Sequence, residues 1–233
     1  MSIGIRSVVG TAGEGTAVPS PRTEKILHWV KGPKVLDVGC TSHTLEVGSP
    51  HWLHGRLREK FSSVVGIDVS MKNVEILREQ GFSNVYVQSA EEFNLSEKFD
   101  TIVAGELIEH LANPGLFLQQ ARQHLEDQGI VVLTTPNAFS LAYFLYAILK
   151  FPKTCHNLEH TCWFCPRTMT ELAERCGFKI VHFELLDDYR SDDPSFLYRQ
   201  FGRVIGLLSP VLPKRLRKTM LIVLATDPDR AHV

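Results

Sequence analysis

The sequence lacks the features that mark several large classes of protein. Its 233 residues carry 25 lysines and arginines against 26 aspartates and glutamates, a formal net charge of −1. That balance argues against a dedicated nucleic-acid binder, which usually carries a strongly basic face. Five cysteines, an odd number, cannot all pair in a disulfide framework. The longest apolar run, at 139–149, is broken by a serine and two tyrosines and is far shorter than the ~20 residues of a membrane span.

The N-terminus has no charged start followed by an apolar core, so it does not resemble a secretory signal. Residues 1–21 are rich in Gly, Ala, Ser and Thr, which predicts a disordered tail. We expect residues 22–233 to form a single α/β domain in a reduced, cytoplasmic protein that binds no nucleic acid.

From Lys34 onward, short apolar runs alternate with longer helical patterns. Runs rich in Val, Ile, Leu and Phe with little polar alternation are typical of strands buried on both faces of a parallel sheet. Their alternation with helices predicts βαβ units and a doubly wound sheet. The predicted strands are Lys34–Val38, Ser63–Asp68, Asn84–Gln88, Phe99–Ala104, Gly129–Thr134, Phe178–Leu186 and Met220–Thr226. The predicted helices are Pro50–Phe61, Ser70–Gln80, Glu106–Glu126, Phe139–Leu149 and Pro166–Cys176.

Two aspartates end neighbouring strands of this predicted sheet. The first strand ends in Asp37-x-Gly39, and a glycine at a strand end lets the backbone approach a ligand closely. The second strand ends in Asp68, an acid that could accept from both hydroxyls of a ribose. Together they indicate a ligand that contains adenosine; the alternative is that each aspartate caps a turn.

With stretches further along, these motifs resemble the class I S-adenosylmethionine-dependent methyltransferases. The most characteristic stretch is Phe99–Leu111, FDTIVAGELIEHL, which is similar to the small-molecule branch that includes ubiquinone-pathway O-methyltransferases. The segment from His160 to Gly177 is similar to the same branch. The resemblance covers about Ile26 to Leu186. It implies a Rossmann-like methyltransferase fold, with a mostly parallel seven-stranded sheet flanked by helices and its last strand antiparallel. It also implies S-adenosylmethionine as the cofactor and S-adenosylhomocysteine as the product.

The resemblance implies a role for each matching position. Asp37, Gly39 and the loop after them would hold the methionine end of the cofactor. Asp68 would bind the ribose, and Glu106 would line the methionine and the transferring methyl group. Other positions would lie beside the adenine or along the methionine. The predicted cofactor-binding residues are Asp37, Gly39, Cys40, His43, Asp68, Val69, Ser89, Ala90, Glu91 and Gly105.

The sequence departs from the family pattern in two places. Of the usual Gly-x-Gly-x-Gly after the first strand, Gly39 alone remains, and Ser89 stands where an aspartate is common. His43 or His54 could therefore approach the cofactor carboxylate or cap the site, unless both are surface loop residues. Because of these departures, an alternative function stays open: the protein could be a degenerate partner protein that binds the cofactor without catalysis. An NAD-dependent oxidoreductase is less favoured, because Gly-x-Gly-x-x-Gly is absent.

Methyl transfer from a sulfonium is an in-line displacement, for which a protein mainly supplies alignment and exclusion of water. An acceptor may also need a base, and histidine is suited to this near neutral pH. Glu106 and His110 would share a helix face at spacing i, i+4, so His110 is a candidate base oriented by Glu106 or Glu109. Its alternative is a structural histidine. His160 is the second candidate, and we predict His110, His160 and Glu106 as catalytic residues.

The segment Cys155–Cys165 contains a Cys-x-x-Cys pair with nearby histidines, a pattern that can bind zinc. A second cysteine pair is missing, and His160 is explained by the methyltransferase resemblance. We therefore predict no metal, while zinc at this segment stays an alternative.

Acceptor specificity is expected in two regions, 137–165 and 188–218, which would cover the site. The apolar helix Phe139–Leu149 could form a wall of the acceptor pocket, pack in the core or form a homodimer. Residues 195–218 carry basic side chains, for which a solvated basic face is the default interpretation. An anionic acceptor or a lipid surface is the functional alternative, which the presence of apolar residues in the same segment favours. We expect O- or N-methylation of a small-molecule or lipid-linked acceptor, with peripheral membrane contact as an option.

Overall fold

The structure, a computed structural model, describes residues 20–41, 47–49, 51–149, 159–187, 200, 204, 206–207, 211 and 213–230. They form a seven-stranded sheet flanked by helices. The strands are β1 Lys34–Val38, β2 Ser63–Asp68, β3 Val85–Val87, β4 Phe99–Gly105, β5 Leu125–Pro136, β6 Phe178–Leu186 and β7 Thr219–Thr226. The helices are α1 Pro21–Trp29, α2 Leu53–Lys60, α3 Met71–Glu79, α4 Pro114–His124, α5 Leu141–Leu149 and α6 Pro166–Arg175.

The strand order is β3-β2-β1-β4-β5-β7-β6. The pairs from β3 through β5 are parallel, whereas β7 is antiparallel to both β5 and β6. The predicted fold class, including the antiparallel last strand, is confirmed. The chain reverses its direction of travel across the sheet between β1 and β4, and ligands of open α/β sheets bind at such a switch point.

Alternate residues of each central strand pack on opposite faces of the sheet, as a two-residue period requires. On one face, Leu36 of β1 packs in a core cluster with Phe117 of α4 and Met169 of α6. On the other face, Val35 of β1 packs in a cluster that includes Ile26 of α1. Both faces are therefore covered, which is why the strands carry few polar residues.

One predicted helix is wrong in its first part. The pattern from Glu106 to Glu126 predicted a continuous helix, but the structure has a short 3₁₀ turn at Ile108–His110 and a separate α4 that begins at Pro114. Glu106 has a φ of 57°, which a right-handed helix does not allow. Asn113 precedes the proline with φ −133° and ψ 75°, outside the helical region that a following proline disfavours. Glu106 and His110 therefore do not share a helix face.

Helix α1 was not predicted. Ser20 caps it, because its Oγ accepts a hydrogen bond from the backbone amide of Thr23, and Pro21 occupies the first turn. The helix thus begins at the last residue of the stretch expected to be a tail. Residues 1–19, and most of the predicted insertion at 188–218, lie outside the described residues. None of the described helices is long and apolar enough to cross a membrane.

Candidate functional site

The carboxyl ends of β2, β1 and β4 lie side by side at the switch point. Register pairs Asp37 of β1 with Gly66 of β2 and with Val103 of β4. Asp68 and Gly105 end β2 and β4 at the same edge. The predicted cofactor residues of these three strands are therefore neighbours, although they are far apart in sequence.

The turn after β1 is bound to the end of β2. Gly39 has a φ of 78°, a left-handed conformation that favours glycine. The backbone amides of Gly39 and Cys40 both donate to the carbonyl oxygen of Ile67, at 2.9 and 3.1 Å. This turn brings Cys40 to the end of β2 and leaves it buried.

Asp68 organises the loops on both sides of it. One carboxylate oxygen accepts from the backbone amide of Thr41 at 3.0 Å, and the other accepts from that of Ser70 at 2.9 Å. Each oxygen can accept a further hydrogen bond, so the carboxylate can also receive two hydroxyl groups. Val69, the next residue, exposes 70% of its surface at this edge.

Asp37 has a partner that the sequence analysis did not assign to it. Nδ1 of His54, in α2, lies 3.0 Å from Oδ2 of Asp37, and both side chains are almost completely buried. His54 is therefore not a surface loop residue. His43, the other histidine considered, lies outside the described residues.

The predicted adenine edge lies in the loop after β3. The hydroxyl of Ser89 accepts a hydrogen bond from the backbone amide of Glu91 at 3.1 Å. Ala90, the residue between these two, is buried. The carboxylate of Glu91 accepts from both the side-chain amide and the backbone amide of Asn113, each at 3.0 Å. These hydrogen bonds lower the pKa of Glu91 and tie this loop to the start of α4.

Glu106 turns away from the path of β4 immediately after Gly105. Its backbone amide donates to the carbonyl oxygen of Thr134 in β5, at 3.0 Å, with φ at 57°. Its carboxylate lies 3.5 Å from the guanidinium of Arg22 in α1. The sequence analysis missed Arg22, which stands in no recognised motif and follows directly on the predicted tail.

Glu109 is a buried carboxyl group next in sequence to the predicted catalytic residue His110. It exposes 1% of its surface, and neither of its carboxylate oxygens has a hydrogen-bond partner among the described residues. Burial raises the pKa of Glu109 well above its ordinary value, and the neighbouring carboxylate of Glu106 raises it further. The sequence analysis considered Glu109 only as a residue that orients His110.

His110 and His160 meet although fifty residues separate them. Their ring centroids lie 4.6 Å apart, with the ring planes nearly perpendicular. The contact is fixed by the backbone, because the amides of Thr161 and Cys162 both donate to the carbonyl oxygen of Glu109, at 2.8 and 3.2 Å.

One ligand atom from each of Glu109, His110 and His160 lies within 4.8 Å of the other two. No other cluster of at least three potential metal ligands occurs in the described part of the chain, and this one contains no cysteine. Cys155 and His156, the first residues of the segment considered for zinc, lie outside that part. The structure thus gathers two of the three predicted catalytic residues around Glu109 and places Glu106 near it.

Aromatic rings extend this cluster toward α5. His160 contacts Trp163 at a centroid distance of 5.5 Å, and Trp163 contacts Tyr143 of α5 edge-to-face at 4.8 Å. The segment is anchored on its other side, where the amide of Ala138 donates to the carbonyl oxygen of Phe164 at 2.9 Å. The result is an aromatic wall, formed by His160, Trp163 and Tyr143, next to the carboxyl ends of β4 and β5.

The fold and the arrangement of strand ends are those of a nucleotide-type cofactor site. The chain belongs to the methyltransferase-domain family, whose model matches residues 19–183. The predicted resemblance to class I S-adenosylmethionine-dependent methyltransferases is confirmed.

Two curated relatives are ubiquinone biosynthesis O-methyltransferases. The chain is 30% identical over 149 residues to that of Glaesserella parasuis, an alignment that covers 55% of this chain and 58% of the relative. It is 30% identical over 167 residues to the mitochondrial enzyme of Rattus norvegicus, covering 65% of this chain and 46% of that protein. The matched part is therefore about half the length of these relatives.

Solved structures share the fold at low sequence identity. An S-adenosylmethionine-dependent methyltransferase from Archaeoglobus fulgidus gives a TM-score of 0.60 at 19% identity, covering 87% of this chain and 90% of the other. Magnesium protoporphyrin IX methyltransferase from Synechocystis, solved with S-adenosylhomocysteine, gives 0.59 at 15% identity, covering 88% and 80%.

Proposed function

We propose that this chain transfers a methyl group from S-adenosylmethionine to a hydroxyl oxygen of a small organic acceptor. The observation that carries the proposal is the cluster of Glu109, His110 and His160 beside the predicted cofactor edge. Two imidazoles and a carboxyl group can activate a hydroxyl, whereas the displacement itself needs little more than alignment. The two relatives named as O-methyltransferases support an oxygen acceptor.

The described residues fit the cofactor at three points. Asp68 keeps acceptor capacity for the ribose hydroxyls, and the exposed Val69 offers an apolar surface beside them. Arg22 supplies a cation next to Glu106, where the carboxylate of the methionine needs one. Asp37 is an acceptor suited to the ammonium group. When bound, the cofactor supplies an activated methyl group.

We further propose that Glu109, His110 and His160 hold a divalent cation, in place of the metal-free site that the sequence predicted. A buried carboxyl group without a hydrogen-bond partner among the described residues is costly, and a cation would stabilise its charged form. Two imidazoles and one carboxylate suit zinc or manganese better than calcium. The cation would lower the pKa of an acceptor hydroxyl and favour acceptors with two adjacent hydroxyls, which can chelate it.

The alternative is direct proton transfer to His110 or His160 as a general base, the role the sequence predicted. It requires no metal, so the two mechanisms differ in their response to chelation. The degenerate, non-catalytic alternative predicts cofactor binding without turnover.

The test uses purified protein, labelled S-adenosylmethionine and paired probes: a dihydroxybenzoate with adjacent hydroxyl groups and a monohydroxybenzoate. We expect methyl transfer to the first, loss of activity with EDTA, and recovery with manganese or zinc but not calcium. Activity that is insensitive to EDTA would favour the general base. Binding of S-adenosylhomocysteine without transfer to any acceptor would contradict the enzyme proposal, and Asp68→Ala should weaken that binding by about 1–3 kcal/mol.

The surface of α5 supports a lipid-linked acceptor. Its outward face exposes Phe144 and Ile148, at spacing i, i+4, and Phe139 just before the helix is 64% exposed. The side-chain amide of Asn137 donates to the carbonyl oxygen of Arg215 at 3.0 Å, so a basic segment lies beside this apolar face. Apolar and basic side chains together favour an anionic membrane surface.

Sedimentation with vesicles tests this contact. We expect more binding to vesicles with anionic lipid than to neutral ones, and Phe144→Asp should abolish the difference. Val181→Asp, on the exposed edge strand β6, is the matched control. A homodimer formed through α5 would bury the same face. If light scattering shows that a dimer forms, and vesicle binding falls as it does, the result would favour a dimer interface over a membrane contact.

A further inference from the structure

Two side chains at the start of α2 form hydrogen bonds to the carboxyl end of β1, where we place the cofactor. His54 reaches Asp37 at 3.0 Å, and two residues earlier Nε1 of Trp52 donates to the carbonyl oxygen of Cys40 at 2.9 Å. The two side chains therefore hold the chain on both sides of the turn at Gly39. Trp52, like His54, is buried.

Strand β2 has a space that receives the His54 ring. Gly66 stands opposite Asp37 in the parallel register. A Cβ atom at Gly66 would lie 2.7 Å from Cε1 of His54 and 2.8 Å from the sulfur of Cys40. Neither contact is sterically possible, so any other residue at this position would displace the ring or the thiol. The absence of a side chain at Gly66 is what allows His54 to cross from α2 to β1.

This arrangement occurs where the chain departs from the family's glycine pattern. Cys40 and Thr41 follow Gly39, so the loop has less backbone freedom than one with three glycines. Contacts from the residue before α2 and from the end of β2 fix this loop from outside. Trp52 binds the carbonyl oxygen of Cys40, while Asp68 binds the amide of Thr41 at 3.0 Å.

The hydrogen bond to Asp37 has a defined direction. A carboxylate can only accept, so Nδ1 of His54 carries the hydrogen and donates to Oδ2. The bond satisfies one oxygen of a carboxylate that is 98% buried and leaves the other to accept from a ligand. The carboxylate is thereby oriented before any ligand arrives, which lowers the entropic cost of binding.

We propose that His54 is a positioning residue for the cofactor: it fixes the carboxylate of Asp37 to receive the ammonium group of the methionine moiety. His54 does not touch the reacting atoms. The inference rests on the proposed function, because it requires S-adenosylmethionine at this edge of the sheet.

The test compares three substitutions by calorimetry with S-adenosylhomocysteine. His54→Asn keeps an N–H donor near the position of Nδ1. His54→Gln places the donor near the position of Nε2 instead, and His54→Leu removes the donor. We expect the asparagine variant to bind within about threefold of wild type, and the other two at least tenfold more weakly. At saturating S-adenosylmethionine, the turnover of these variants should change less than threefold, so the effect appears in the KM for S-adenosylmethionine.

The matched control is His124→Leu, which removes both ring nitrogens. His124 is a second buried histidine, hydrogen-bonded to the amide of Leu95 and lying at the end of α4, at the opposite edge of the sheet. Its loss should lower the thermal midpoint without changing cofactor affinity. If His54→Gln and His54→Leu also change only the thermal midpoint, the positioning role is wrong. Equal weakening in His54→Asn would show that the ring, and not the donor, matters.

A measurement on wild type covers variants that fail to fold. With nitrogen-15-labelled histidine, the His54 ring, assigned through its contact with Trp52, should show a protonated Nδ1 and shift on saturation with S-adenosylhomocysteine. An unprotonated Nδ1, or signals that do not respond, would overturn the inference alone. Failure of wild type to bind S-adenosylhomocysteine would overturn the proposed function and this inference together.

Discussion

Thr161 donates its backbone N–H to the carbonyl oxygen of Glu109 at 2.8 Å, and its hydroxyl donates to the carbonyl oxygen of Leu111 at 2.5 Å. One residue therefore ties the segment that follows α5 to the 3₁₀ turn after β4. His160, the residue before Thr161, is held beside His110 as a result.

Loss of the Thr161 hydroxyl should loosen this attachment. We expect Thr161→Val to lower turnover roughly fivefold, the equivalent of about 1 kcal/mol for one hydrogen bond, and to leave cofactor affinity unchanged. Thr170→Val is the control, because it removes a similar hydroxyl bond, to the carbonyl oxygen of Pro166, inside α6. Equal turnover in the two variants would show that the Thr161 hydroxyl does not position His160.

The buried Glu109 predicts a pH dependence of stability in the metal-free protein. Its folded-state pKa lies well above the ordinary 4.5, so between these two values the folded chain binds more protons than the unfolded one. Its contribution is therefore fully present below pH 4.5 and is lost as pH rises toward the folded-state pKa. Glu109→Gln should remove this decline in urea unfolding curves measured with EDTA. A decline of the same size in both proteins would contradict the assignment.

Arg22 should contribute to cofactor binding through its charge. We expect Arg22→Ala to weaken binding of S-adenosylhomocysteine by about tenfold, the scale of a lost charge-assisted hydrogen bond. Lys25→Ala is a control on the same helix, since it removes an ion pair with Glu184 of β6, away from Glu106. Calorimetry should show unchanged affinity for the control. Equal effects would point to α1 as a whole.

The described cysteines should differ in reactivity. Burial raises the pKa of Cys40, and the carboxylates of Asp37 and Asp68 raise it further. At Cys165, slight burial acts in the same direction, but hydrogen bonds from Thr168 outweigh it and lower the pKa. Brief alkylation of the native protein near pH 7.5 should label Cys165 well before Cys40, as measured by peptide mass spectrometry. Prior labelling of Cys40 would contradict the described packing.

Much of the sheet could be predicted because its strands are continuous apolar runs. Ser63–Asp68 and Phe178–Leu186 begin and end where the sequence pattern indicated. The helix predicted from Glu106 failed for a local reason. Periodicity records which residues are apolar, and it carries no information on the positive φ that turns the chain after β4.

Some contacts of the candidate site could also be predicted from the sequence, and others could not. Asp37 and Asp68 could be predicted as neighbours because parallel strands end at one edge. The pairing of Glu109 with His160 could not, since it depends on backbone hydrogen bonds from Thr161 across a long connection. The sequence analysis considered His54 but did not predict its contact with Asp37. That contact depends on the space left at Gly66 of β2, a glycine that no pattern in the sequence connects with His54.

The position of β7 between β5 and β6 has a consequence for synthesis of the chain. Among the described strands, β6 pairs with β7 and with no other, and β7 comes last in sequence. A ribosome-bound chain that ends before Thr219 therefore leaves β6 without its partner and one edge of β5 without the strand that pairs with it. We infer that this domain closes only when its final strand emerges, so a nascent chain depends on protection until then.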